Sequence, residues 1–364
     1  MNRLQKVRQN LASQKIDALV VSQPENRRYL SGFTGSAGWL VISHSEALLA
    51  VDFRYVEQAR KEAPHFEVVQ IKGDVTNWLP ELFLELEGKR VGFEADHTSF
   101  ATYQQLCKVI SDSRYQMQLV PISGLVESLR AVKEPEELEL IRQAARLADT
   151  AMEYARTLIR PDVTEKEIAW ALEKYLREKG SETVPFDIIV ASGPNSALPH
   201  ARASNRAILE GEPVVVDIGA RVNGYCSDLS RTFLLGCEDR TFSRIYDIVL
   251  GAQLTAIATI NTSMNGNEAD QLARTVIEQA GYGEAFGHGL GHGLGLSAHE
   301  TPRLGPSSSD FLLEGMVFTV EPGIYLSNWG GVRIEDTVII EDGKVQPLTT
   351  SQKNANVFCR RMFA

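Results

Sequence analysis

Between positions 217 and 335 the chain carries Asp217, Asp228, His292, Glu321 and Glu335, four carboxylates and one imidazole. An oxygen-rich donor set of this kind suits Mn²⁺, Fe²⁺, Co²⁺ or Zn²⁺ better than it suits a thiolate-bound structural zinc. Four converging carboxylates can hold two divalent ions roughly 3.5–4 Å apart, and such a pair brings a shared water from a pKa of about 15.7 to about 7. The chemistry is metal-assisted hydrolysis.

Local patterning has to bring the carboxylates together. Residues 213–233 read as two strand-like runs around Asn223-Gly224, a hairpin signal. With 221–224 as the loop, Asp217 and Asp228 fall directly opposite each other, their Cβ atoms about 5 Å apart. Like charges so placed destabilise a sheet unless something positive lies between them; a slipped register or a solvated rim is the blander reading. Val214, Val216 and Ile218 take the other face. Residues 317–339 repeat the pattern around a turn centred on Asn328, and there Glu321 and Glu335 fall opposite each other. Arg333 shares the face of Glu335, where it orients a carboxylate, binds an anion, or simply pairs with Asp336. Pro322 removes a ladder donor and favours a bulge.

Four of the seven histidines, His200, His288, His292 and His299, lie in glycine-rich or acidic segments of this same half. Five glycines in the nine residues 287–295 rule out a helix, so His288 and His292 are not a helical metal pair. Extended, the segment allows close backbone approach and points His288, Leu290 and His292 to one side; a merely solvated loop is the alternative. His200, directly after Pro199, reads by itself as a loop histidine.

The elements that must position these residues fall into two groups. The first ~125 residues alternate apolar strands and helical stretches: a strand at 17–21, a hairpin at 39–43 and 47–52, helices at 54–62 and 99–110. A boundary near 125–134 predicts one domain over 1–126 and a second over 133–364. Glu134-Pro135-Glu136-Glu137 opens a long helix to about 157, with proline and acids where the helix dipole favours them. Thr164 and Glu167 form a capping box for the next helix. Further helices at 241–260 and 268–280 interrupt strands and loops, which predicts an α+β domain.

Composition limits the classes of function. At 364 residues, 43% hydrophobic and 23% charged, the chain reads as a soluble globular protein. A net charge of −10 argues against a nucleic-acid binder with a broad basic face. No apolar run approaches the ~18 residues of a membrane span, and no apolar stretch follows the charged start as in a signal peptide. Cys107, Cys226, Cys237 and Cys359 form no CxxC pair and read as reduced thiols of a cytoplasmic protein, Cys226 as a packed thiol rather than a ligand.

The order Asp217…Asp228…His292…Glu321…Glu335, its two aspartates eleven apart, resembles the pita-bread-fold metallopeptidases, among them methionine aminopeptidase, aminopeptidase P and prolidase. His288-Gly-Leu-Gly-His292, His299-Glu300, Glu321-Pro-Gly-Ile-Tyr325 and Gly331-Val-Arg-Ile-Glu335-Asp336 look most like the proline-specific branch. Tyr29–Gly38 and Asp52-Phe53-Arg54-Tyr55 are similar to the creatinase-like first domain of that branch. The resemblance spans nearly the whole chain. It implies an α+β protein with a C-terminal pita-bread catalytic domain and a smaller N-terminal α/β creatinase-like domain. It further implies two divalent metal ions (manganese foremost; cobalt, zinc or iron otherwise), small peptides with proline in second position as substrates, and a homodimer.

Carried over residue by residue, the resemblance makes Asp217, Asp228, His292, Glu321 and Glu335 the metal ligands, Asp228 and Glu335 bridging. Glu321 would take a proton from the attacking water. His200 would contact substrate near the scissile bond, and His299 would steady the carbonyl oxygen or tetrahedral intermediate. His288 would line the pocket for the proline ring, and Arg333 would orient the carboxylates. Arg54 would reach a neighbouring subunit or form a structural ion pair. The activity implied is that of an Xaa-Pro aminopeptidase or dipeptidase, and Gly32–Gly38 looks more like the aminopeptidase group. Two other readings are a metal-free member of the fold (an amidinohydrolase or a peptide-binding module) and a methionine aminopeptidase. Against the first stand the complete ligand types and the repulsion of four carboxylates without a metal. Against the second stands the extra first domain.

Overall fold

The computed structural model describes residues 2–85, 90–112, 117–236 and 239–357. It divides into two compact units, Met1–Arg130 and Ala131–Ala364. Cys237 and Cys359 lie outside the described residues; Cys107 and Cys226 form no disulfide.

In the first unit, short apolar runs become six strands, β1 (Ala18–Val21), β2 (Trp39–Ser43), β3 (Ala47–Val51), β4 (Glu67–Gln70), β5 (Arg90–Glu94) and β6 (Gln118–Ile122). The central β1, β2, β3 and β5 are buried on both faces, while the edge strands β4 and β6 stay partly exposed. Their order is β4-β3-β2-β1-β5-β6, with β1–β2 and β2–β3 antiparallel and the other pairs parallel. Helices α1 (Arg3–Ser13), α2 (Pro24–Ser31), α3 (Val56–Glu62), α4 (Val75–Glu85), α5 (Phe100–Asp112) and α6 (Glu127–Ala131) connect them. Arg54 is an exposed partner of Asp52 at 2.7 Å.

The second unit opens with α7 (Pro135–Leu158) and α8 (Glu165–Glu178), whose capping boxes are Glu134 with Glu137 and Thr164 with Glu167. A stripe of small side chains on α7, Ala144, Ala148, Ala151 and Ala155, is wholly buried against the first of two sheets. That sheet has the order β19-β11-β8-β7, from β7 (Ile189–Ser192), β8 (Pro213–Ile218), β11 (Leu229–Leu235) and β19 (Asn356–Val357); β9 (Arg221–Val222) and β10 (Tyr225–Cys226) make a small ribbon. The second sheet runs β13-β12-β14-β17-β18, from β12 (Gly291–Gly293), β13 (Glu300–Leu304), β14 (Val317–Val320), β17 (Asp336–Glu341) and β18 (Lys344–Pro347). Between β14 and β17 lies the two-stranded ribbon of β15 (Gly323–Leu326) and β16 (Gly330–Arg333). Helices α9 (Arg240–Thr259) and α10 (Gly266–Gln279) pack with this sheet in one apolar core.

The register of the first hairpin differs from expectation. Asp217 pairs with Ser230, and Ile218 with Leu229, so Asp228 lies two positions away from the residue opposite Asp217. The turn is Asn223-Gly224 alone, with φ of 44° and 83°, and Val222 pairs with Tyr225. A two-residue turn with both central φ angles positive matches strand twist, and Asn-Gly favours it over the longer loop expected from the sequence. The second hairpin holds its expected register across an interruption. Gly323 pairs with Arg333 on one side and Val320 with Asp336 on the other, which leaves Glu321 and Glu335 opposed in the gap. Pro322 sits in that gap with no N–H to give; its carbonyl accepts from the Ile334 amide at 3.4 Å. Leu290 also departs from expectation: it turns into the apolar core while His288 and His292 face the cavity.

Candidate metal centre

A cavity of about 440 Å³ is lined by all nine residues singled out in the sequence: His200, Asp217, Asp228, His288, His292, His299, Glu321, Arg333 and Glu335. Asp217 comes from β8, Asp228 from the residue before β11, His292 from β12, and Glu321 and Glu335 from the gap between the paired ribbons. Among the described residues, ligand atoms of Asp228, His292 and Glu335 lie within 4.8 Å of one another. Glu321 joins them with Oε1 at 3.3 Å from His292 Nε2, and Asp228 Oδ2 lies 3.7 Å from the same nitrogen.

Backbone hydrogen bonds fix these side chains. The Glu335 amide donates to the Ser230 carbonyl at 3.1 Å and the Glu321 amide to the Leu290 carbonyl at 2.8 Å. Thr319 Oγ1 accepts from the His292 amide and donates to Glu321 Oε1 at 2.9 Å; Thr337 Oγ1 donates to the Asp228 carbonyl at 2.7 Å. Arg231, wholly buried, donates to the Glu335 carbonyl and to Asp336. Arg333 therefore does not pair with Asp336. Its guanidinium reaches Asp217 Oδ2 at 2.6 Å, Ser230 Oγ at 2.9 Å and Tyr325 Oη at 3.0 Å. The glycine ladder earns its composition at Gly291, where a Cβ would fall on the Thr319 carbonyl. On the other side, Asp270 and Arg274 of α10 hold the segment by the Leu290 amide and the Phe286 and His288 carbonyls.

The hydrogen bonds also set the tautomers. His292 Nδ1 faces the Gly293 carbonyl at 3.1 Å, which can only accept, so Nδ1 carries the proton and Nε2 turns its lone pair toward two carboxylates. His288 Nδ1 likewise donates to the Gly289 carbonyl at 2.8 Å. Its Nε2 accepts from the Tyr325 hydroxyl at 2.9 Å, because that oxygen already accepts from Arg333. Both nitrogens of His288 are thereby used. Burial lowers the pKa of His288, His292 and His299, for His299 with help from His292 beside it, their ring centroids 4.1 Å apart.

The carboxylates show the opposite shift. Burial, followed by the charges of Glu335, Asp217 and Glu321, pushes Asp228 well above the ordinary carboxylate range. Burial, followed by Glu321 and Asp217, does the same to Glu335, and burial raises Glu321. Asp217 Oδ1 is buried without a hydrogen-bond partner. Oxygen donors, one imidazole lone pair and mutual repulsion together fit divalent cations. Cys226 is buried with Sγ 3.8 Å from the Leu296 carbonyl, outside this donor set. Sequence reasoning missed Tyr325, Thr319 and Ser230, which hold the site, and Phe186, Asp187 and Arg202, which line the cavity. A hydroxyl two residues before Glu321 was the one local signal available for Thr319.

Residues 139–342 match the model of metallopeptidase family M24, and residues 3–132 match the creatinase/prolidase N-terminal domain. The chain belongs to metallopeptidase family M24. A solved structure of an Xaa-Pro dipeptidase from Bacillus anthracis is 40% identical with a TM-score of 0.93, covering 98% of this chain and 99% of that one. An X-Pro aminopeptidase structure from Thermotoga maritima is 36% identical with a TM-score of 0.89, covering 99% and 100%. The Xaa-Pro dipeptidase of Pyrococcus furiosus is 34% identical over 96% of this chain and 98% of its own. As an M24 member the chain is an α+β hydrolase with a pita-bread metallopeptidase domain and a creatinase-like N-terminal domain, from a family that uses divalent metal ions. Among its described residues no helix is long and apolar enough to cross a membrane.

Proposed function

We propose that this M24 enzyme is an Xaa-Pro exopeptidase using two divalent metal ions, manganese foremost, which Asp217, Asp228, His292, Glu321 and Glu335 would hold. The observation that carries the reading is the neutral His292 lone pair facing the Glu321 and Asp228 oxygens, a set of electron-pair donors that a cation would satisfy. When bound, such ions supply Lewis acidity and hydroxide at neutral pH. Glu321, kept protonatable by burial, accepts the proton of the attacking water and passes it towards the leaving nitrogen. His299, neutral through burial, donates a hydrogen bond to the carbonyl oxygen as it gains charge. His200 at the exposed rim contacts substrate beside the scissile bond. His288, its nitrogens engaged, offers ring carbon to the substrate and so suits a proline ring. Arg333 holds Asp217 in place.

Relatives named as dipeptidases and aminopeptidases support the proline-directed specificity. The test is hydrolysis of Xaa-Pro and Xaa-Pro-Xaa by chelated protein resupplied with Mn²⁺, Co²⁺ or Zn²⁺. Cleavage of the tripeptide at its Xaa-Pro bond is the aminopeptidase outcome, and cleavage of the dipeptide alone the dipeptidase outcome. If neither peptide is cut with any of the metals, the proposal fails.

A further inference from the structure

We propose that Lys133 is a positioning residue for His299, acting through Glu300; the inference rests on the role given to His299 above. Lys133 stands near the start of the second unit, and its backbone is tied down there. Its amide donates to the Gly315 carbonyl at 2.9 Å, and Val132 bridges to Met316. From this anchor the side chain runs inward, 1% exposed, to place Nζ 3.2 Å from the Ala131 carbonyl and 3.6 Å from Glu300 Oε2.

Glu300, 7% exposed, uses its other oxygen to accept from the Ser297 amide at 2.7 Å, which closes the turn that carries His299. The same turn is pinned on its near side. The Gly295 amide donates to the Ser297 carbonyl at 3.0 Å, and the Gly295 carbonyl accepts from the Cys226 amide at 2.7 Å. Arg221 Nη1 donates to the Leu296 carbonyl at 3.3 Å. The ion pair fills the space beside Gly295: a Cβ there would lie 2.9 Å from Glu300 Oε2 and 3.1 Å from Lys133 Cε.

A buried ammonium–carboxylate pair is a weak source of net stability, because desolvation offsets most of its attraction. Its geometric effect is more specific. Without the ammonium, Glu300 loses the cation beside Oε2, and the carboxylate shifts within its pocket. That shift loosens its hold on the Ser297 amide, and the His299 ring loses its fixed place beside His292.

The test uses the Mn²⁺-loaded enzyme on an Xaa-Pro substrate, comparing Lys133→Met, Glu300→Gln, His299→Ala and the double variant Lys133→Met/His299→Ala. The expected result is a kcat about 10- to 30-fold lower for Lys133→Met with KM nearly unchanged, and a double variant no slower than His299→Ala. Mn²⁺ stoichiometry by calorimetry stays at the wild-type value. Losses that multiply in the double variant, fall on KM or metal content, or are absent overturn the proposal. Should Lys133→Met fail to fold, Glu300→Gln and its double variant with His299→Ala carry the same comparison. If the wild type cuts no Xaa-Pro bond, or His299→Ala is silent, the proposed function fails separately. The His299 imidazole resonances of the metal-free chain then decide: a shift on Lys133→Met supports the link, and unchanged resonances overturn it.

Discussion

Glu94 in the first unit and the Asp228–Glu335 pair in the second are all carboxylates taken out of water, and burial raises the pKa of each. Their surroundings differ in kind. Glu94 accepts from the Ser22 and Gln23 amides at 2.7 and 2.8 Å and from Asn26 Nδ2 at 2.8 Å. It stands at the N-terminus of α2, whose own cap residue Gln23 makes no side-chain hydrogen bond to the helix backbone. Asp228 and Glu335 face Asp217 and Glu321 instead, with Arg333 as the cation that draws their pKa back down. One carboxylate is finished by donors from its own unit; the others are held among like charges, where the proposed metal ions would finish them.

The strongest way to break this comparison is to exchange each carboxylate for its amide. Glu321→Gln is expected to lower kcat by about 10³-fold, within the range of a lost general base, whereas Glu94→Gln leaves kcat within about twofold. Initial rates on an Xaa-Pro peptide with saturating Mn²⁺ decide it, and a comparable loss in both variants ends the distinction. Next in size, Arg333→Lys keeps the charge but loses the fork that spans Asp217, Ser230 and Tyr325. Its Mn²⁺ affinity should fall about 10- to 100-fold in a calorimetric titration.

A smaller effect sharpens the comparison through pH. A carboxylate whose folded pKa is raised contributes stability that is complete below its unfolded pKa and is lost as pH rises through the folded value. Asp228, Glu335 and Glu321 therefore weaken the metal-free second unit from about pH 4 upward. Metal binds the deprotonated groups, so the rise in Tm that Mn²⁺ produces should grow with pH. Glu335→Gln should flatten that growth, and a pH-independent Mn²⁺ increment in the wild type would contradict it. The smallest effect belongs to Glu94→Gln, a loss of about 1–3 kcal/mol in denaturant unfolding, since its amide donors lose a charged acceptor.

How far the sequence could be read depended on where each constraint lies. The Glu321–Glu335 register was legible because β14–β17 and β15–β16 share one register about a turn containing Asn328, whose φ is 67°. The Asp217–Asp228 register was misread because the loop was drawn four residues long, although Asn-Gly is the signature of a two-residue turn. Alternation placed His288 and His292 correctly but not Leu290, because the irregular segment between Phe286 and β12 is shaped by Asp270 and Arg274 on a distant helix. Tyr325 had no local signal, since its hydroxyl becomes a bridge only when His288, from the irregular segment before β12, and Arg333, from β16, both reach it.

The site residues run from His200 to Glu335 and meet only where β8, β11, β12, β14 and β17 have all found their places. Such long-range pairing is slow to form, because the closure of each intervening loop precedes the contacts that reward it. Peptide cleavage should thus be the last signal to return during refolding, after helix content and core fluorescence. Recovered activity, for this chain, is a clock that starts only when the final strand is home.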